Sequence, residues 1–157
     1  MLVKGIIDED FVNYKKPCMV IAMPYCSFKC DKECGKPVCQ NGALTTAKNI
    51  TIAADEIITR FFSNDISQAI CFQGLEPFDS WDDLFYFICK FRKQSNDDIV
   101  IYTGYTEEEI TDKILLIKDK PNIIIKFGRF IPDQQPHFDE ILGVNLASDN
   151  QYAKILS

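Results

Sequence analysis

The chain has 157 residues, 46% of them hydrophobic, a formal net charge of −6 and seven cysteines. That length suits a single domain, residues 1–157, with apolar content sufficient for a core. The acidic balance argues against a general nucleic-acid binder, which needs clustered positive charge, and no run approaches the ~20 apolar residues of a membrane span. The N-terminal stretch Met1 to Asp10 lacks the basic-then-apolar pattern of a signal peptide, so a cytoplasmic location is expected. Disulfides are rare there, and an odd number of cysteines disfavours a complete set of bridges.

The elements alternate. Cys18 to Met23 is a continuous apolar run closed by Pro24, as a strand buried on both faces requires. A cysteine-rich loop follows. Ala53 to Phe62 has apolar residues at helical spacing, and Ala69 to Phe72 reads as a second buried strand ended by Gln73-Gly74. Ser80 is the expected N-cap of a helix from Trp81 to Lys93. Asp98 to Tyr102 is a third strand; Thr106 and the acids after it open a helix running to about Ile117. Asn122 to Phe127 is a fourth strand, and Gly143 to Ala147 a last short one. This order predicts an α/β fold with an open parallel sheet and alternating helices. Ligands of such sheets sit beyond the carboxyl ends of the strands.

The loop reads Cys26-Ser-Phe-Lys-Cys30-Asp-Lys-Glu-Cys34-Gly-Lys-Pro-Val-Cys39-Gln-Asn41. Thiols at this density can converge on a soft metal centre, either zinc or an iron–sulfur cluster. A four-thiolate zinc site is one reading, although gaps of two residues are commoner there than the longer gaps seen here. Lysines gather nearby (Lys15, Lys16, Lys29, Lys32, Lys36), most simply as a solvated surface. Cys18, Cys71 and Cys89 lie in apolar runs and read as core residues, and His137, the only histidine, as a surface or packing residue.

On these motifs the chain resembles the radical S-adenosylmethionine (SAM) proteins, and among them the activating proteins of anaerobic ribonucleotide reductase, over about residues 11–153. Cys26-Ser-Phe-Lys-Cys30 is similar to the first half of the family's Cys-x3-Cys-x2-Cys motif. Cys39-Gln40-Asn41 resembles its ending after an insertion. Gly74-Leu75-Glu76-Pro77 resembles the family's Gly-Gly-Glu-Pro, with Leu75 in place of the second glycine. Tyr102-Thr103-Gly104 resembles its third-strand ending. Phe127 to Ile131 and Leu146 to Gln151 resemble its C-terminal segments.

The resemblance implies a partial (β/α) barrel carrying a [4Fe–4S] cluster on Cys26, Cys30 and a third cysteine. Cys39 is favoured over Cys34, because Gly35 and Pro37 suit an insertion that folds outward. It implies SAM bound near Gly74, Leu75, Glu76, Pro77, Tyr102, Thr103 and Gly104. Tyr102 and Tyr105 also suit packing roles, and Asn145, Ser148 and Asn150 suit either the ribose side of the pocket or turns. The implied activity is reductive SAM cleavage to a 5′-deoxyadenosyl radical. The implied partners are a larger glycyl radical enzyme and a reductant such as flavodoxin or ferredoxin. Two alternatives stay open: a small-molecule radical SAM reaction, and a non-catalytic four-cysteine electron-transfer or zinc module.

Overall fold

The computed structural model describes residues 1–157. It opens with β1 (Leu2–Val3), β2 (Gly5–Asp10) and β3 (Cys18–Met23). A short helix α1 (Lys29–Cys34), strand β4 (Ile50–Thr51) and helix α2 (Ala54–Phe62) come next. Strand β5 (Ala69–Gly74), helix α3 (Trp81–Phe91), strand β6 (Asp98–Tyr102), helix α4 (Thr111–Ile117) and strand β7 (Ile123–Phe127) continue the alternation. A hairpin of β8 (His137–Asp139) and β9 (Val144–Leu146) and a strand β10 (Tyr152–Ile155) follow.

The molecule is a mixed α/β fold around a six-stranded, mostly parallel sheet in the order β10-β7-β6-β5-β3-β2. The inner strands β3, β5, β6 and β7 run parallel and neighbour one another in chain order. The expectation of a parallel sheet is corrected at both edges, where β2 and β10 pair antiparallel. Neither edge strand announces itself in the sequence. β2 is half-exposed and ends in Asp8-Glu-Asp10, and only Ala153 of β10 is buried. With one face open to water, such strands need no apolar run.

Helices α2, α3 and α4 pack on the same face of the sheet. Ala54, Ile57, Ile58 and Phe61 of α2 repeat the i, i+3, i+4, i+7 stripe, as do Leu84, Phe87, Ile88 and Phe91 of α3. With Ile114 and Ile117 of α4 they share one core with the inner strands. Phe72 of β5 meets Phe87 edge-on at 5.1 Å, and Phe61 meets Phe91 at 5.4 Å. Burying one such side chain is worth about 1.5–3 kcal/mol. The opposite face is covered without helices. There Tyr14, Leu142 and Leu146 pack on Val20, Cys71, Val100 and Ile124.

Two helix starts differ from the sequence expectation. Ser80 makes no capping hydrogen bond, and its hydroxyl is buried without a partner. A 3-10 turn, Pro77–Ser80, runs into α3 instead, and its first amide is capped by the Glu76 carboxylate. α4 likewise follows a 3-10 turn at Glu108–Ile110, where Glu109 accepts a 2.9 Å hydrogen bond from the Thr106 amide. Cys18 and Cys71 are fully buried as expected, whereas Cys89 is only half-buried. No helix is long and apolar enough to cross a membrane.

Candidate metal centre

The inner strands end on one rim. β3 leads through Pro24-Tyr25 into the cysteine loop, β5 ends at Gly74, β6 at Tyr102 and β7 at Phe127. A cavity of about 230 Å³ opens among these ends. Cys26, Cys30 and Cys39 line one part of it, and Gly74, Glu76 and Gly104 another. The parallel topology therefore brings together segments separated by more than sixty residues of chain, as ligand sites of open α/β sheets require.

The thiol side is built by a tight local fold. Phe28 takes a left-handed conformation, φ 54°, just before α1. Its amide then lies 3.2 Å from the Cys26 sulfur and donates to it. Such a donor favours the thiolate and tunes a bound metal. Burial outweighs it, pushing the Cys26 thiol up to about 11, and burial raises Cys30 too. Metal binding must displace these protons, which links it to pH. Cys34 lies one turn beyond Cys30 on α1 and does not line the cavity. Gly35, left-handed at φ 67°, ends that helix and turns the chain outward.

No residue from Cys26 to Asn49 is buried, so the loop has no core of its own. Polar ties hold it to the fold. The Ser27 amide donates to Asp79 at 2.6 Å, and the Tyr105 hydroxyl donates to the other oxygen of the same carboxylate at 2.5 Å. Arg129 reaches Glu109 at 2.6 Å and lies 3.2 Å from Glu33 of α1, while Lys29 pairs with Glu109 at 3.1 Å. The Arg129 hydrogen bond holds the Glu109 carboxyl down at about 2.

The second side is organised by one carboxylate. Glu76 is buried and accepts from the Phe78 amide at 3.1 Å, the Thr103 hydroxyl at 2.7 Å and the Gly104 amide at 2.8 Å. Despite these donors, burial pushes its carboxyl up to about 7. Gly74 is a glycine for two reasons. Its φ is 92°, and a Cβ there would stand 3.1 Å from the Ala22 backbone and 3.3 Å from Leu44. Leu75 is buried yet lines the wall, so the departure from a second glycine leaves the cavity open.

Not every expected residue faces the cavity. Pro77 is buried as the first residue of the 3-10 turn and does not line it. Thr103 and Gly104 do line it. Tyr102 borders the cavity, but its hydroxyl donates to the Asn13 carbonyl at 2.6 Å, so it packs between segments. Asn145 reaches the wall, whereas Ser148 and Asn150 hydrogen-bond to each other and to the Arg129 carbonyl as a turn. His137 sits half-buried in the hairpin, away from the cavity.

The reading by residue type missed Lys126. It lines the cavity from within β7, is buried, and donates to the Gly128 carbonyl at 2.8 Å. Burial lowers its ammonium to about 8. The only signal was a lone lysine inside Ile-Ile-Ile-Lys126-Phe. In the sequence Gln151 stands out only as the end of the segment Leu146 to Gln151. Its carboxamide accepts from the Ala147 and Ser148 amides and shapes the far wall.

Three thiols, Cys26, Cys30 and Cys39, line one cavity at the carboxyl rim of the α/β sheet, although no three metal-ligating side chains converge closely enough to form a ready metal-ion site. Residues 17–148 match the family model of the 4Fe-4S single cluster domain. That match spans most of the chain, which therefore belongs to this family, and a 4Fe–4S cluster-binding domain is indicated. No curated protein and no solved structure matched the chain.

Proposed function

We propose that the protein is a radical SAM enzyme. In this reading Cys26, Cys30 and Cys39 would hold the cluster, and the rest of the cavity would take SAM. The observation that carries it is the shared cavity: three thiols, not four, line it together with the buried Glu76, Gly74 and Gly104. A cubane used only for electron transfer normally takes four cysteines. The alternative module with all four loop cysteines engaged is disfavoured because Cys34 lies outside the wall.

The chain's own groups suit an amino-acid moiety. Glu76, ionised on arrival of an ammonium, supplies the negative partner. Lys126 has one fixed acceptor and faces the same cavity, so its remaining N–H groups suit a carboxylate. Gly104, where a Cβ would meet nothing closer than 3.6 Å, keeps its part of the wall low enough for a ligand to approach the backbone. A cluster held by these thiols and kept reduced by an external donor would supply the one electron that reductive cleavage of a sulfonium C–S bond requires. Helices on one face only, over strands in chain order, suit a partial (β/α) barrel whose inner side carries the site. By resemblance, the radical's target is a glycyl radical site on a larger partner enzyme, and the reductant is a protein of flavodoxin or ferredoxin type.

The test is anaerobic reconstitution followed by EPR with and without SAM. We expect about four irons and four sulfides per chain, a spectrum that changes on SAM addition, and 5′-deoxyadenosine once dithionite is added. A spectrum indifferent to SAM overturns the reading.

A further inference from the structure

The loop contains an eight-residue excursion between Cys30 and Cys39 that must return a thiol to the cavity. Helix α1 carries the chain outward and Gly35 ends it. Cys34 is carried about 6 Å farther along the helix axis than Cys30, at the helical rise of 1.5 Å per residue. The return is made by one side chain. Asp31 Oδ1 accepts from the Val38 amide at 2.8 Å and from the Cys39 amide at 2.8 Å. Asp31 follows Cys30 directly on α1, so this carboxylate ties the backbone of one cavity thiol to that of another. Apolar packing does not do this, since neither α1 nor residues 35–39 contain a buried residue.

We infer that Asp31 is the positioning residue for the third cluster ligand. Its carboxylate pins the Val38–Cys39 backbone against α1, which selects Cys39 over Cys34 and holds its sulfur at the cavity. This rests on the proposed ligation by Cys26, Cys30 and Cys39. Asp31 does not itself reach the cavity wall, so its effect runs through Cys39. Losing both hydrogen bonds to this side chain loosens the ligand by about tenfold or more in its local equilibrium.

The experiment compares anaerobically reconstituted wild type, Asp31→Ala, Asp31→Asn and Cys34→Ala. Iron and sulfide content, the rate of iron loss to a chelator and the EPR spectrum are measured, with circular dichroism as a fold control. Asp31→Ala is expected to lose iron at least about tenfold faster. Asp31→Asn, which keeps an acceptor oxygen, should restore most of the retention, and Cys34→Ala should match wild type. In the wild-type holoprotein the Val38 and Cys39 amides should be protected from hydrogen exchange. Unchanged retention in Asp31→Ala overturns the inference, as does equal loss in Asp31→Asn or absence of protection at the two amides. A wild type that assembles no cluster overturns the proposed function instead.

Discussion

The four inner strands and the cysteine loop lie against each other but are held by opposite means. Ile21, Phe72, Ile101 and Ile125 are fully buried, and their strands are locked by apolar contact with three helices. From Cys26 to Asn49 nothing is buried, and the chain is placed by carboxylates: Asp79 on Ser27, Glu109 on Lys29, Asp31 on Val38 and Cys39. Apolar burial is non-directional and strong in sum, so it makes a rigid frame. Hydrogen bonds are directional and individually modest, so they set where a thiol points without supplying much stability. The frame therefore does not need the metal group, whereas the loop has much to gain from binding one.

The sharpest break in this comparison is Cys39→Ala. It should remove essentially all cluster iron while the denaturant midpoint of the metal-free protein stays within experimental error. Cys34→Ala should leave both unchanged. Loss of iron only in the Cys34 variant would reverse the ligand assignment. The frame is broken by Phe72→Ala, a fully buried ring on β5. It should cost about 3–5 kcal/mol in urea unfolding, with or without cluster. A loss confined to the cluster-loaded protein would show that the sheet depends on the metal.

Glu76, held by the strand ends, lines the same cavity as the loop thiols, and its replacement tests the ligand side. Glu76→Gln should weaken SAM binding by about 1.5–3 kcal/mol, measured by titration of the EPR change. Because burial places its carboxyl at about 7, SAM affinity in wild type should rise from about pH 6 to about pH 7, as the group ionises while the ligand's amino group is still an ammonium. Glu76→Gln should flatten that rise. A wild-type profile that falls over this range would remove Glu76 as the ammonium partner.

The smallest effect belongs to Glu109. Its folded-state carboxyl is held down at about 2, so its contribution is fully present above the ordinary value near 4.5 and is lost as pH falls towards 2. The pair is partly exposed, and screening leaves roughly 0.2–1 kcal/mol. In metal-free protein, amide exchange across α1, corrected for intrinsic rates, should quicken over that acid window while β5 and β6 stay protected. Glu109→Gln should show the faster exchange already at neutral pH. Equal loss of protection in the strands would mean that this pair holds the frame and not the loop.

Much of the frame was legible because burial leaves a periodic trace. Cys18 to Met23 and Asp98 to Tyr102 are strands with the bounds that their apolar runs suggest, and the stripes of α2 and α3 mark their packed faces. The candidate residues were legible as chemical types: thiols in one loop, a glutamate and glycines at strand ends. What left no trace were elements with little to bury, namely β2, α1 and β10, and a lysine whose role depends on strands far away in sequence. Glu76 becomes a buried, thrice-bonded carboxylate only when β6 brings Thr103 and Gly104 beside it. Composition and periodicity thus determined that four parallel strands would form and that a thiol-rich loop would follow the first. The turn residues Gly35 and Pro37 already favoured Cys39 over Cys34; that Cys26, Cys30 and Cys39 line one cavity was decided by tertiary structure, because the reach of Asp31 to the Cys39 amide is a matter of direction, which hydrophobic pattern does not encode.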